Sequence, residues 1–336
     1  MSSAPTSEEI ARDATWLAQA LDPVAGVARL IAMDRDAYRA ASFLDDRMLQ
    51  NAVDAQIVPW PEVEAAMAGD RRSDARWIFH IGHVGSTLVS RLLGEIDGVL
   101  AVREPRVLRD LALSPPDVRA HYLAAVPKLI SRTFAPDELA CVKATSFVSE
   151  IAPELVPPGE HALFMYATPR NYVASILAGE NSVAELRQLA PSRAPRLERR
   201  VSGPWAARND AELAAIAWAC EMTALEAAVE AMADRQVTWA DFDAMLANMP
   251  AELRRGADFF GFAADDAQLE AIATAPLMTR YSKAMEYDYS ANLRRDLIAE
   301  ATAAHRAAID DALAMLARAA EKSPMLARAL RRAGEA

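Results

Sequence analysis

Cysteine is nearly absent from the 336-residue sequence, and that scarcity removes two structural options at once. Cys141 and Cys220 stand far apart with no Cys-x-x-Cys or Cys/His spacing, so neither a disulfide framework nor a zinc site is supported. Long uncharged runs are missing as well. None reaches the length of a membrane span, and Met1 to Arg12 has neither the basic start nor the apolar stretch of a signal peptide. Together these absences predict a cytoplasmic protein in a reducing compartment, with no membrane partner. Positive charge is the third shortage. With 36 Lys and Arg against 47 Asp and Glu, the formal charge is −11, which argues against a general nucleic-acid binder, because phosphate-backbone affinity comes from clustered cations that displace counterions. A mononucleotide is still allowed, since it needs only backbone N–H groups and a few basic side chains.

What is present is a globular composition, 52 % hydrophobic and 25 % charged, with no long Pro/Gly/Ser tract and no internal repeat. The length suits one large α/β domain with appended helices or two smaller domains. Residues 1 to 70 read as an irregular and helical lead-in whose Trp16, Leu30, Tyr38, Phe43 and Trp60 dock on the main body. From Arg76 onward, short apolar runs alternate with turns and helical periodicity, the pattern of strand-then-helix units around a parallel sheet. The runs are Trp77–Ile81, Val99–Val102, Leu139–Val142, Ala162–Tyr166 and Gln236–Trp239. Between the fourth and fifth, Glu180 to Arg200 is densely charged (Arg187, Arg193, Arg196, Arg199, Arg200) and reads either as a lid or as a solvated helix face. Asp210 to Asp234 and Asp296 to Lys322 carry helical patterns.

The segment from Trp77 to Leu93 runs from an apolar strand through Gly82-His83-Val84-Gly85-Ser86-Thr87 into helical spacing. Glycines let a backbone approach a phosphate, a helix start offers unpaired N–H groups and a favourable dipole, and Ser86 and Thr87 add hydroxyls. An ordinary βα turn with a Ser or Thr cap fits the same string. It is not a Walker A loop, which demands a lysine before the hydroxyl residue and a longer glycine spacing.

The loop resembles that of the sulfotransferase family, in particular its bacterial and tyrosylprotein-type members, where it holds the 5′-phosphosulfate of 3′-phosphoadenosine 5′-phosphosulfate (PAPS). The resemblance covers roughly residues 76 to 110, 139 to 178 and 236 to 290. Val102-Arg103-Glu104-Pro105-Arg106-Val107-Leu108 is similar to the family's Glu-Pro-Arg-Val-Leu segment, and Val142-Lys143-Ala144-Thr145-Ser146 to its Lys-Thr-Thr/Ser segment. Tyr166-Ala167-Thr168-Pro169-Arg170-Asn171, with Ser175 on the following helix, is similar to the 3′-phosphate motif. Trp239-Ala240-Asp241-Phe242 and Phe259-Phe260-Gly261-Phe262 resemble the tail of the fold. The implied architecture is an α/β, P-loop three-layer fold with a central parallel sheet flanked by helices at 71–290. Helical extensions at 1–70 and 291–336 would complete one globular unit.

The resemblance implies an enzyme moving a sulfuryl group from PAPS to a hydroxyl or amine on a small-molecule or peptide acceptor, leaving 3′-phosphoadenosine 5′-phosphate (PAP), with no metal. Glu104 would be the general base and Lys143 the donor to the bridging oxygen or the sulfonate, with His83 beside them. Gly82, His83, Val84, Gly85, Ser86, Thr87, Arg170 and Ser175 would bind the nucleotide. On the residues alone, a surface or capping carboxylate at Glu104 and a lysine reaching water at Lys143 are the alternatives. Thr145 stands where many family members have a catalytic histidine. Two positions depart from the family pattern: His83 replaces a Lys or Arg of the loop, and Ala167 an Arg of the 3′-phosphate motif. Arg170, or Arg280 and Lys283 in the loop 279–283, would supply the charge instead. Independently of any family, the loop, Glu104, Lys143 and Arg170 each follow the carboxyl end of a separate apolar run, the edge where open α/β sheets bind ligands. A P-loop small-molecule kinase, with Asp241 toward magnesium, and a non-catalytic binding protein are the alternative readings.

Overall fold

The computed structural model describes residues 4–50, 53–203, 205–276 and 291–334. Each of the five apolar runs forms a strand of one sheet: β4 (Arg76–His80), β5 (Val99–Arg103), β6 (Leu139–Lys143), β7 (His161–Tyr166) and β8 (Gln236–Asp241). The order is β5-β6-β4-β7-β8 and every pairing is parallel. Successive strand residues point to opposite faces, and Trp77, Ile78 and Phe79 are all 0 % exposed, so both faces of the sheet are covered. This is the expected central parallel sheet between helical layers. Chain connections leave β4 toward β5 and β6 on one side and toward β7 and β8 on the other, which opens a crevice beyond its carboxyl end.

The lead-in departs from its helical and irregular expectation. Three strands, β1 (Trp16–Asp22), β2 (Val27–Ala32) and β3 (Ala55–Pro59), make a separate antiparallel sheet. The hairpin that starts it is set by local chemistry. The Asp22 carboxylate accepts from the amides of Val24 and Ala25 at 3.0 Å, and Gly26 takes φ +66°, a turn that side-chain-bearing residues resist.

Two buried guanidinium groups fasten this sheet region to the main body. Arg132 donates to the carbonyls of Leu129 (2.8 Å), Trp16 (2.6 Å) and Ile10. Arg103, at the end of β5, donates to Ala41 (2.8 Å), Arg39 (3.1 Å) and Tyr38, while its own carbonyl accepts from the Leu44 amide at 2.7 Å. Burial pushes both arginines down to about 10, still charged near neutral pH.

Around the central sheet lie α1 (Ser86–Leu93), α2 (Arg106–Leu113), α3 (Pro169–Leu177), α4 (Glu180–Glu198) and α5 (Asp210–Ala231). The densely charged stretch is α4, an unbroken helix despite Pro191 and Pro195. Its charges do not all face water. Arg196 forks onto Glu221 of α5 with two 3.0 Å bonds and reaches Glu150 at 2.8 Å; Arg200 holds the same Glu150 at 2.7 and 2.8 Å. Glu221 is 1 % exposed. Burial opposes its ionisation, but Arg196 and Arg193 outweigh that and hold the carboxyl below its ordinary value. The C-terminal region is helical as α6 (Ala291–Ala304), α7 (Arg306–Ala320) and α8 (Pro324–Arg332). The single helix expected over 296–322 is broken at His305.

Between β4 and α1 the backbone turns through Gly82 (φ +80°), His83 (φ +54°) and Gly85 (φ +57°). Gly85 is required twice over. Its left-handed conformation costs a residue with a Cβ about 1–2 kcal/mol, and a Cβ there would land within the Phe242 ring.

Gly85→Ala is therefore expected to lose at least about 2 kcal/mol in urea unfolding from strain and overpacking. The double variant with Phe242→Ala should recover the steric part only, a non-additivity that a mutant cycle reads directly. Glu221→Gln takes the anion from Arg193 and one of the two from Arg196, which keeps Glu150, and should cost about 3–5 kcal/mol by the same measurement. Because the folded carboxyl lies below its unfolded value, this stabilisation is full above the ordinary carboxylate range and is lost as pH falls through the folded value. The stability difference between wild type and Glu221→Gln should shrink accordingly in acid.

Candidate active site

The carboxyl ends of β4, β5 and β6 converge on a cavity of about 380 Å³, within the range of small-ligand sites. Its floor is the β4–α1 turn, Gly82 to Thr87, followed by Leu88. Three positive φ values within four residues curl this backbone into a tight turn. No side-chain cap bond closes the first turn of α1, because Gly85 occupies the cap position. Ser86 and Thr87 are buried with the turn.

Beside the turn, parallel pairing sets Arg103 against Lys143, and the next residue of the β5 segment is Glu104. Its amide donates to the Lys143 carbonyl at 2.7 Å with φ at +52°, a conformation that L side chains seldom adopt and that concentrates at functional sites. The result is a buried ion pair. Lys143 Nζ binds Glu104 Oε1, and the two residues are 1 % and 8 % exposed. Neither alternative placement holds: the lysine does not reach water, and the glutamate is neither on the surface nor at a cap. Thr145 donates to Glu104 Oε2 at 3.4 Å, and an Arg47 Nη lies 3.6 Å from the same oxygen.

His80, at the end of β4, joins this group. Its Nδ1 accepts the Gly82 amide at 2.9 Å, so the ring proton resides on Nε2, 3.9 Å from Glu104 Oε1. The ring is thus bonded to the β4–α1 turn and stands beside the carboxylate. His83 lines the cavity with its ring edge-on to Tyr172 at 6.2 Å and its Nε2 3.9 Å from Glu185 Oε2.

Most residues expected from the sequence gather here: Gly82, His83, Val84, Gly85, Ser86, Thr87, Glu104, Lys143 and Ser175 all line the one cavity. Arg170 is not among its lining residues; its Nη1 is engaged by Asp310 at 3.0 Å. Asp241 is also elsewhere, capping the helix Phe242–Ala247 by accepting from the amides of Asp243 (2.8 Å) and Ala244 (3.3 Å). Arg280 and Lys283 lie outside the described residues.

Sequence reasoning missed the opposite wall. Phe43, Asp45 and Arg47 arrive from the lead-in, carried by the clasp of Arg103 on residues 38–41. Arg47 stacks on Phe43 at 3.4 Å and forks onto Asp45 at 2.8 and 2.7 Å; Arg109 of α2 stands 3.8 Å from Asp45. Farther round, Arg294 pairs with Asp243 at 2.8 Å over the Phe242 ring, its buried Nη2 lacking a hydrogen-bond partner among the described residues. The face of α4 made by Glu185, Leu189 and Arg193 completes the enclosure. No sequence motif marks these residues, although the i, i+4, i+8 spacing on α4 was readable as one helix face.

No family model matches the sequence, and no curated protein matches it. Among solved structures, the chain is similar to mouse sulfotransferase SULT7A1 in complex with PAP, at 13 % identity over 80 % of this chain and 92 % of that one, with a TM-score of 0.42. So loose a superposition bears on neither fold nor chemistry here, which rest on the parallel sheet and the cavity at its carboxyl edge.

Proposed function

We propose that this chain is a sulfotransferase-like enzyme that binds PAPS on the β4–α1 turn and uses Glu104 as the base toward a hydroxyl or amine acceptor. One observation carries the reading: the amide-lined turn and the buried Glu104–Lys143 pair open into the same cavity. The residues present suit an anionic nucleotide. Curled backbone amides, the start of α1 with its dipole, and the Ser86 and Thr87 hydroxyls offer donors to a phosphate group, and Ser175 adds another from α3.

When bound, the donor supplies the sulfuryl group. The protein's share is to align the partners and to neutralise charge. Glu104 stands where it can accept the acceptor's proton, with Thr145 donating to the carboxylate and His80 beside it. Lys143 holds its ammonium at the cavity, against Glu104, ready to donate to a developing negative oxygen. The acceptor would enter past Phe43, Arg47 and Arg109, opposite the amide floor.

Glu104→Gln keeps size and one hydrogen bond while deleting the base. Turnover with labelled PAPS should fall by about 10²–10⁴-fold, with PAP affinity held within about threefold. Undiminished turnover would remove Glu104 from the chemistry, and a protein that merely binds the nucleotide would show no turnover to lose. Calorimetry separates the donors: PAP is expected to bind more tightly than AMP by about tenfold or more, the effect of one added charge-assisted contact. Equal affinities would rule out PAPS as the donor.

A further inference from the structure

The arginine pairs between α4 and α5 do not balance. Arg193, Arg196 and Arg200 share Glu221 and Glu150, three guanidinium groups against two carboxylates, and all five side chains are at least three-quarters buried. Glu221 is already occupied by the two-pronged Arg196, and Glu150 by Arg196 and Arg200. Arg193 is the member left over. Its side chain is 8 % exposed, and its bonding among the described residues is confined to Nε, 3.4 Å from Glu221 Oε1. With its stem buried and both Nη groups unspent, this guanidinium has donors left for an anion.

Arg193 faces the place where such an anion would sit. It lines the cavity whose floor is the β4–α1 turn, on the same face of α4 as Leu189 and Glu185. Tyr172, which meets the His83 ring edge-on, lies within its electrostatic reach. The other lining cations have carboxylate partners: Lys143 has Glu104, Arg47 and Arg109 share Asp45, and Arg294 has Asp243 with one buried Nη2 left without a hydrogen bond among the described residues. The opposing charge on the helix face, Glu185, is two turns away, about 12 Å along the axis, and half exposed.

We propose that Arg193 is a ligand-binding residue whose two Nη groups close the amide-lined turn from above and bind a phosphate or sulfonate oxygen of the anion held there. This deepens the nucleotide reading but depends only on its anionic part. Glu221 and Arg196 act as positioning residues, because the fork of Arg196 on Glu221 holds α4 against α5 and thereby aims Arg193 at the cavity.

The test measures inorganic pyrophosphate, PAP and AMP by calorimetry on the full chain, as wild type, Arg193→Gln and Arg193→Lys, with melting temperatures of the ligand-free proteins. Arg193→Gln is expected to bind pyrophosphate about 10- to 100-fold more weakly, the loss of a charge-assisted contact. Arg193→Lys should retain most of the affinity. Without ligand, both variants should remain folded, because Arg196 keeps its two bonds to Glu221 when the single long bond from Arg193 is lost. A loss of less than threefold, a lysine variant no better than glutamine, a glutamine variant that fails to fold, or a wild type blind to pyrophosphate would each overturn the proposal. A wild type that binds pyrophosphate but does not prefer PAP to AMP would end the PAPS reading alone and leave Arg193 judged on pyrophosphate.

Discussion

A lysine ammonium taken out of water must meet an anion, and at the edge of the central sheet Lys143 meets Glu104. Much of the neighbouring architecture serves that encounter. Parallel pairing of β5 with β6 brings the two residues level, and the bond from the Glu104 amide to the Lys143 carbonyl bends the chain so that the carboxylate turns back over the ammonium. His80, bonded to the glycine turn, stands beside the pair, so the two halves of the cavity, glycine turn and charged wall, adjoin at one residue. A low-dielectric setting strengthens each of these contacts and makes each costly to leave unmet.

The parts of this arrangement that could be read from the sequence are those encoded locally. Buried parallel strands are continuous apolar runs, and each of the five was located within two residues of its ends. The glycine turn announces itself by composition, and Glu104 and Lys143 by standing just after two of the runs. What stayed hidden depends on distant partners. Trp16–Asp22 contains two alanines and two leucines and has no strong strand alternation, and it is a strand because β2 pairs with it. Its turn signal, Asp22-Pro23-Val24-Ala25-Gly26, was present but stood between segments of ambiguous period. Arg193 shows the same limit: among the five arginines of this stretch nothing distinguishes the buried ones, since their burial is decided by partners such as Glu221, 28 residues from Arg193. Pro191 and Pro195 further disguise α4, a helix that persists because its side chains are clamped to α5.

Buried arginine recurs as the structural device of this chain. Arg103 and Arg132 each gather carbonyl groups from a segment remote in sequence, and Arg196 and Arg200 gather carboxylates. The planar fork suits this work: its several fixed N–H directions satisfy many acceptors for the desolvation of a single charge. The same group that fastens one element to another can therefore be left with spare donors where a cavity adjoins it.

The clasp made by Arg103 has a consequence for how the molecule can be divided. Phe43, Asp45 and Arg47 belong in sequence to the lead-in but in space to the cavity wall, and Arg103 immediately precedes Glu104. A fragment cut to the central sheet alone would keep the glycine turn yet lose the mouth opposite it. Such a fragment would also leave Arg103 with orphaned donors next to Glu104. The first fifty residues are thus no detachable appendage, and grafting or trimming them would reshape which molecules the crevice admits.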